Sequence, residues 1–435
     1  MPIKNICLLN DSFPPVIDGV ANAVFNYASI IEEKYGHAIV STPAYPGVKD
    51  DYPFEVIRYA SLDTTALAGY RFGIPLSIAH LSEYAGKNID ILHCHCPISS
   101  MVLARTLRDE IDKPIILHYH TKFDIDIRRA VNARILQDLA IDKLVENISY
   151  ADEVWVVSEG AGENLRKLGY QGDYVVMRNG VDFEKGRGAA ERTEKLRWEY
   201  AIPEERPVYL FVGRLMWYKG IRIILDALKK LKDSGEDFSM LFAGDGMDRK
   251  DIENYTRELG LEEECRFLGA VRDREALKDL YSLADLFLFP STFDTNGIVV
   301  SEAASSGTAS VLIKGSCAAE EVTDGHNAFL IEEDSASLYR MLKEIGNNKE
   351  LLRTVGENAM NDLYLSWEES VGRAWKRYEI VKENYSYRLP ENLEYRKPSE
   401  NMLTAAAELA NSLDQARKLV NGVENKIGGF LDRWL

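Results

Sequence analysis

Short, continuous apolar runs alternate along the chain with longer stretches whose apolar residues fall three and four positions apart. In the first half the runs are KNICLLN, AIVST, DILHCHC, PIILHYH, EVWVVSE and DYVVM; in the second they are PVYLFVG, SMLFAG, CRFLGAV, ADLFLFP and ASVLIKG. Helical spacing fills the intervals, for example Val20–Lys34, Ser99–Asp109 and Arg128–Ile148. Strands that are apolar throughout are buried on both faces, which requires a parallel sheet covered by helices on each side. The rhythm is played twice, so the pattern predicts an α/β protein of two Rossmann-like, doubly wound halves, 1–184 and 207–366. The connecting segment 185–206 lies within the charged stretch Phe183–Pro207, which contains Gly186 and Gly188 and ends on prolines, and it reads as a linker. Another helical pattern starts at Trp367 and covers 367–390. Past Pro390 and Pro398, a tail (391–435) carries apolar residues alternately four and three apart from Met402 to Trp434, the seam of a coiled coil. Self-association as a homo-oligomer through 399–435 is the expectation.

A length of 435 residues agrees with two cores rather than one. No uncharged apolar run reaches the ~18 residues of a membrane span, and the opening MPIKNICLLNDSF has no signal-peptide pattern, so a cytoplasmic protein is expected. The net charge of −17 argues against a nucleic-acid partner, because such a chain has no broad means of neutralising phosphates. Five cysteines, an odd and sparse set, read as reduced thiols. LHCHCP (Leu92–Pro97) suggests a metal. Period-two alternation, however, puts His93 and His95 on one face and Cys94 and Cys96 on the other, at most two ligands a side, so no metal is expected. His95 is expected near an acceptor cleft. His118 is expected within the sheet, and His120, at the strand's end, within reach of the cleft.

The most informative stretch is FPSTFDTNGIVVSEAASSG, Phe289–Gly307. DLFLFPS is a strand, GIVVSEAASS has helical spacing, and TFDTN is the turn between them. Ligands of open α/β sheets bind at the carboxyl ends of strands, where helix N-termini attract anions. Asn296, Gly297 and Ile298 would offer backbone N–H groups to a phosphate, flanked by the carboxylates Asp294 and Glu302. Acids beside a phosphate site suit hydroxyls, which describes a sugar nucleotide. FVGRLMWYKG sets Arg214 and Lys219 at another strand exit, poised for a diphosphate. LFAGDGMD adds Gly244 and Gly246, and SFPPVIDGVANAV adds Gly19 at a helix start facing the same cleft.

Taken in order from Asn5 to Glu383, the Pro-Pro loop, HCHCP, YHT, NGVD (Asn179–Asp182), GRL…KG, AGDG and the acid–seven–acid motif resemble a family-four retaining glycosyltransferase of the GT-B fold. The resemblance implies two domains facing across a cleft, with the helix 367–390 packing back toward the first. It implies that Arg214 and Lys219 hold the donor diphosphate, that Glu302 binds ribose hydroxyls and that Asp294 touches the donor sugar. Asn296, Gly297 and Ile298 would contribute amides, and Gly19 would let the diphosphate approach. His120 would stand near the transferred sugar, with His95 on the acceptor side. No cofactor and no metal are implied: the leaving phosphate assists deprotonation of the acceptor in a front-face displacement. The implied reaction moves glucose from UDP-glucose to a glycerolipid such as diacylglycerol, with peripheral contact at the inner face of the membrane. The stretch Lys122–Lys143 holds five cations and four anions, so its pull on anionic lipid would be weak. The alternatives are a sugar-to-sugar transferase for polysaccharide or glycolipid, a nucleotide-sugar epimerase, and a non-catalytic nucleotide-sugar-binding assembly subunit. Departures from the family's pattern are Asp294 for Glu, Asp18-Gly19 for Gly-Gly, Ala309 and Arg178 for Pro, and Ala328 for a turn glycine.

Overall fold

The computed structural model describes residues 2–16, 18–65, 71–74, 81–84, 86–123, 127 and 134–386. In the first half the strands are β1 (Asn5–Leu9), β2 (His37–Pro43), β3 (Glu55–Tyr59), β4 (Ser61–Leu62), β5 (Phe72–Gly73), β6 (Ile91–Cys94), β7 (Ile115–Tyr119), β8 (Glu153–Val156) and β9 (Val175–Val176). The second half holds β10 (Val208–Val212), β11 (Ser239–Ala243), β12 (Cys265–Gly269), β13 (Leu286–Phe289), β14 (Ala309–Ile313) and β15 (Phe329–Ile331). The first sheet runs in the order β3-β2-β1-β6-β7-β8-β9 and the second in the order β12-β11-β10-β13-β14-β15. Every pairing in both sheets is parallel; β4 and β5 form a separate antiparallel ribbon. Strand order reverses between β1 and β6 and again between β10 and β13. At such switch points the crossovers diverge and leave a crevice at the strands' carboxyl ends.

The apolar runs become the buried strands because both faces are covered. One face of the first sheet packs Leu92, Leu117 and Val156 against Leu103, Leu107 and Leu165. The opposite face packs Ile6, Leu8 and Ile116 against Tyr27 of the helix Gly19–Ile30 and against Trp367, Val371 and Tyr378 of the last described helix, Trp367–Asn384. That helix is pinned to the first half by a two-pronged Arg377–Glu153 pair, at 2.6 and 2.8 Å, and by Lys382–Asp90 at 2.6 Å.

Segment 185–206 is more than a connection. It carries the helix Ala190–Glu199, buries Ile202 in the second core, and ties Arg192 Nε to Asp279 at 2.7 Å. Arg192 docks it on the helix Arg274–Leu283. Of the expected helix 128–148, the described part is Arg134–Ser149. The expected coiled-coil tail lies outside the described residues.

Candidate active site

The chemistry-bearing loops leave neighbouring strands. β10 and β13 are paired, so the loop with Arg214 and Lys219 emerges beside the loop with Asp294. Gly220 makes the close approach possible: it sits at φ 77°, and a Cβ there would lie 2.0 Å from the carbonyl oxygen of Pro290. The result is a direct pair, Lys219 Nζ donating to Asp294 Oδ1 at 2.5 Å, with side-chain exposures of 8% and 22%. Ser291 Oγ donates to the other carboxylate oxygen at 2.6 Å. The Lys219 ammonium lies 5.5–5.9 Å from the ring centroids of Tyr218, Phe289 and Phe293. Burial pulls its pKa below the ordinary lysine range; Asp294 opposes that shift and nearby Arg214 adds to it. Arg214 itself is exposed. A buried ammonium and an exposed guanidinium, close together at a switch point, would suit a bulky anion.

Beyond Asp294 the chain enters the helix Ile298–Ser305 through Gly297 at φ 58°. Among the described residues, the N–H groups of Asn296, Gly297 and Ile298 donate to no protein acceptor. The helix therefore starts with open donors beside Lys219. Gly244 and Gly246 bring two loops into close contact. A Cβ on Gly244 would lie 1.9 Å from the Gly213 carbonyl oxygen, and one on Gly246 would lie 2.4 Å from that of Leu215. They let the loop after β11 press against the Arg214 loop and so shape the cation-bearing turn. At Gly19 a Cβ would meet nothing within 4 Å, leaving room for an approaching group. Asp18, however, already caps that helix, accepting from the N–H groups of Val20 and Ala21 at 2.8 and 2.7 Å. An anion arriving there would meet a carboxylate in place of open donors.

Glu302 sits 5% exposed, with both oxygens engaged: Arg274 Nη2 donates to one at 2.7 Å and the Tyr281 hydroxyl to the other at 2.9 Å. Arg274 also reaches Asp182 at 3.5 Å and lies 4.2 Å over the ring of Phe183. A ribose would have to use the carboxylate's remaining lone pairs. Arg274, Tyr281 and Ser291 were not singled out from the sequence. A Ser following a strand-end proline was a usable signal for Ser291; nothing local to Arg274 distinguished it.

The tip of the Asp294 loop crosses to the first half. Thr295 Oγ1 donates to the His120 carbonyl at 2.7 Å, Ser158 Oγ donates to the Thr295 carbonyl at 2.5 Å, and Lys122 Nζ approaches the Thr292 carbonyl at 3.5 Å. Glu320 accepts from the N–H groups of Glu159 and Gly160 at 2.8 and 2.6 Å, and Arg178 pairs with Glu321. A cavity of about 320 Å³ lies between the halves, lined by residues that include Ser158, Arg178, Asn296, Ser301 and Glu320. His120 thus meets the cleft through its backbone. Its ring is turned inward, with Nε2 2.9 Å from Nδ1 of His95, and both side chains are buried. The His95 ring lies 5.4 Å from that of Tyr27, and the Asn179 side-chain amide lies 3.4 Å from Nδ1 of His120, so both imidazoles are engaged within the protein.

The sequence matches two family models: "Glycosyltransferase Family 4" over residues 17–185 and "Glycosyl transferases group 1" over 192–362. It is 24% identical over 311 residues to the alpha-monoglucosyldiacylglycerol synthase of Streptococcus pneumoniae (strain ATCC BAA-255 / R6), covering 70% of this chain and 69% of that enzyme. With the sulfoquinovosyl transferase of Arabidopsis thaliana it shares 25% identity over 80% of this chain and 67% of that one. The fold resembles sucrose-phosphate synthase from Thermosynechococcus elongatus, with a TM-score of 0.71, 20% identity, and coverage of 88% of this chain and 100% of the other. It also resembles Anabaena HepE in complex with UDP-glucose, with a TM-score of 0.67, 19% identity, and coverage of 86% and 99%.

Proposed function

Because the chain belongs to the family-four glycosyltransferases of the GT-B fold, which take a sugar from a nucleotide sugar, we propose that it moves glucose from UDP-glucose to a glycerolipid hydroxyl with retention. The observation that carries the reading is the buried Lys219, paired with Asp294 beside open helix N–H groups where β10 and β13 part. Charge develops on the departing diphosphate, and fixed cations and amides stabilise it without reorganising. Lys219 and Arg214 would hold the phosphates, releasing Asp294 from its ion pair to accept hydrogen bonds from sugar hydroxyls. The leaving oxygen would assist the acceptor hydroxyl on the same face, so no protein nucleophile is assigned. Two cations at the phosphates remove the need for a metal ion there. Glucose and diacylglycerol are favoured by the names of two relatives, the alpha-monoglucosyldiacylglycerol synthases of Streptococcus pneumoniae and Acholeplasma laidlawii.

No helix among the described residues is long and apolar enough to cross a membrane, so a lipid acceptor would be met by peripheral contact at the inner face of the membrane. Self-association through 399–435 remains part of the proposal.

The test is a transfer assay on purified protein with UDP-glucose and diacylglycerol vesicles, without added divalent ions, followed by anomeric analysis of the product. An α-glucosyl lipid is expected. Product only on oligosaccharide acceptors would favour the sugar-to-sugar reading. A thermal shift without turnover or slow donor hydrolysis would favour a non-catalytic binding subunit. UDP-glucose at 100 times its dissociation constant should stabilise the fold by ~2.7 kcal/mol.

A further inference from the structure

The face count made from the sequence stopped at two histidines, because it treated β6 alone. β7 lies beside it, with His93 aligned to Ile116, and brings His118 and His120 to the same face. The four rings form one layer, with neighbouring centroids 4.1–5.7 Å apart. One ring nitrogen from each of His93, His95 and His118 falls within 4.8 Å of the others.

The hydrogen bonds of this layer are half complete. The Tyr378 hydroxyl lies 2.7 Å from His93 Nδ1, His120 Nε2 lies 2.9 Å from His95 Nδ1, and the Met177 carbonyl lies 2.9 Å from His118 Nε2. The second nitrogen of each ring, Nε2 of His93, Nε2 of His95 and Nδ1 of His118, is buried with no hydrogen-bond partner among the described residues. Three neighbouring ring nitrogens left unmatched in one buried layer are rare, since buried polar atoms ordinarily find partners. We propose that His93, His95 and His118 form a buried site for one divalent transition-metal ion of the zinc type.

The chemistry fits. Imidazole suits zinc, cobalt and nickel, and three histidines are an established zinc ligand set. A ligating histidine uses its other nitrogen to donate to a carbonyl or similar acceptor. His118 Nε2–H already donates to Met177, which leaves Nδ1 with its lone pair. Some point lies within about 2.8 Å of one nitrogen from each ring, and zinc–imidazole bonds are about 2.0–2.1 Å, so binding through those atoms needs an inward shift of under ~1 Å per ring. The ion would tie β6 to β7 and, through Tyr378, to the last helix. It would also fix Nδ1–H of His95 as the donor to His120. This departs from the expectation of no metal, but the site is separate from Lys219 and Arg214 and neutralises no phosphate.

The test titrates the folded full chain, dialysed against chelator, with Co(II) and Zn(II). One ion per chain is expected, with visible cobalt bands of a nitrogen-ligated centre and a rise in Tm with Zn(II). His118→Gln and His93→Gln should lose both signals; His326→Gln, an exposed histidine elsewhere, should keep them. Circular dichroism of each variant separates lost ligands from lost fold. A folded wild-type chain with neither cobalt bands nor a zinc-dependent Tm rise overturns the site. Bands that persist in a folded His118→Gln chain overturn the ligand assignment.

Discussion

Lys219→Ala should lower kcat by about two to three orders of magnitude, the usual consequence of removing a fixed charge or donor from developing negative charge. On the proposed roles the effect should fall mainly on turnover, because Arg214 and the open amides of Asn296, Gly297 and Ile298 would still bind the ground-state diphosphate. Burial lowers the Lys219 pKa, and Asp294 2.5 Å away favours the ammonium. Substrate phosphates would strengthen the same charged form, so proton loss is no part of the cycle. Lys219→Arg keeps the charge but must fit a planar fork against Tyr218, Phe289 and Phe293, and partial activity is expected. Asp294→Ala should also abolish transfer, whereas Asp294→Glu should keep it. Wild-type kcat in Lys219→Ala, measured at saturating donor, would show that the leaving group is stabilised elsewhere.

Much of this was legible in the sequence because the period of apolar residues is a local property. The runs around Leu8, Phe211 and Leu288 specify buried parallel strands, and the acid–seven–acid spacing places Asp294 in a loop and Glu302 on a helix whatever the rest of the chain does. Strand adjacency is not local. HCHC seen alone offers two histidines, and only the pairing of β6 with β7 adds His118. The partners of Glu302 were hidden for the same reason. Arg274 is 28 residues away, and nothing around it resembles a site until the helix Arg274–Leu283 is laid beside Ile298–Ser305. Glycine roles show a related gap. A Cβ at Gly244 or Gly246 would strike a carbonyl oxygen of the neighbouring loop, a constraint that spacing cannot reveal.

The pairing of Arg274 with Glu302 leads to the second large effect, on stability and its pH dependence. Burial pushes the Glu302 carboxyl above its ordinary range, and Arg274 is the strongest influence pulling it back. A carboxyl raised in the folded state holds its proton more tightly there than in the unfolded chain. Its contribution is therefore complete below the unfolded pKa of about 4.3 and is lost as pH rises through the folded value. Arg274→Met removes the counter-charge, moves that folded value further up and deepens the loss at neutral pH. The expected cost is about 3 kcal/mol, the low end for a broken buried pair, because the arginine is 43% exposed and partly screened. The Tm gap between Arg274→Met and wild type should widen from pH 5 to pH 8. Adding Glu302→Gln should recover most of the gap and flatten its pH dependence, since no charge is then left buried. The unrecovered part, ~0.5–1 kcal/mol, is the stacking of Arg274 on Phe183. A gap that stays constant with pH, or a double variant no more stable than the single, would mean that solvent already reaches Glu302 and that its carboxylate is open to a ribose without displacing Arg274.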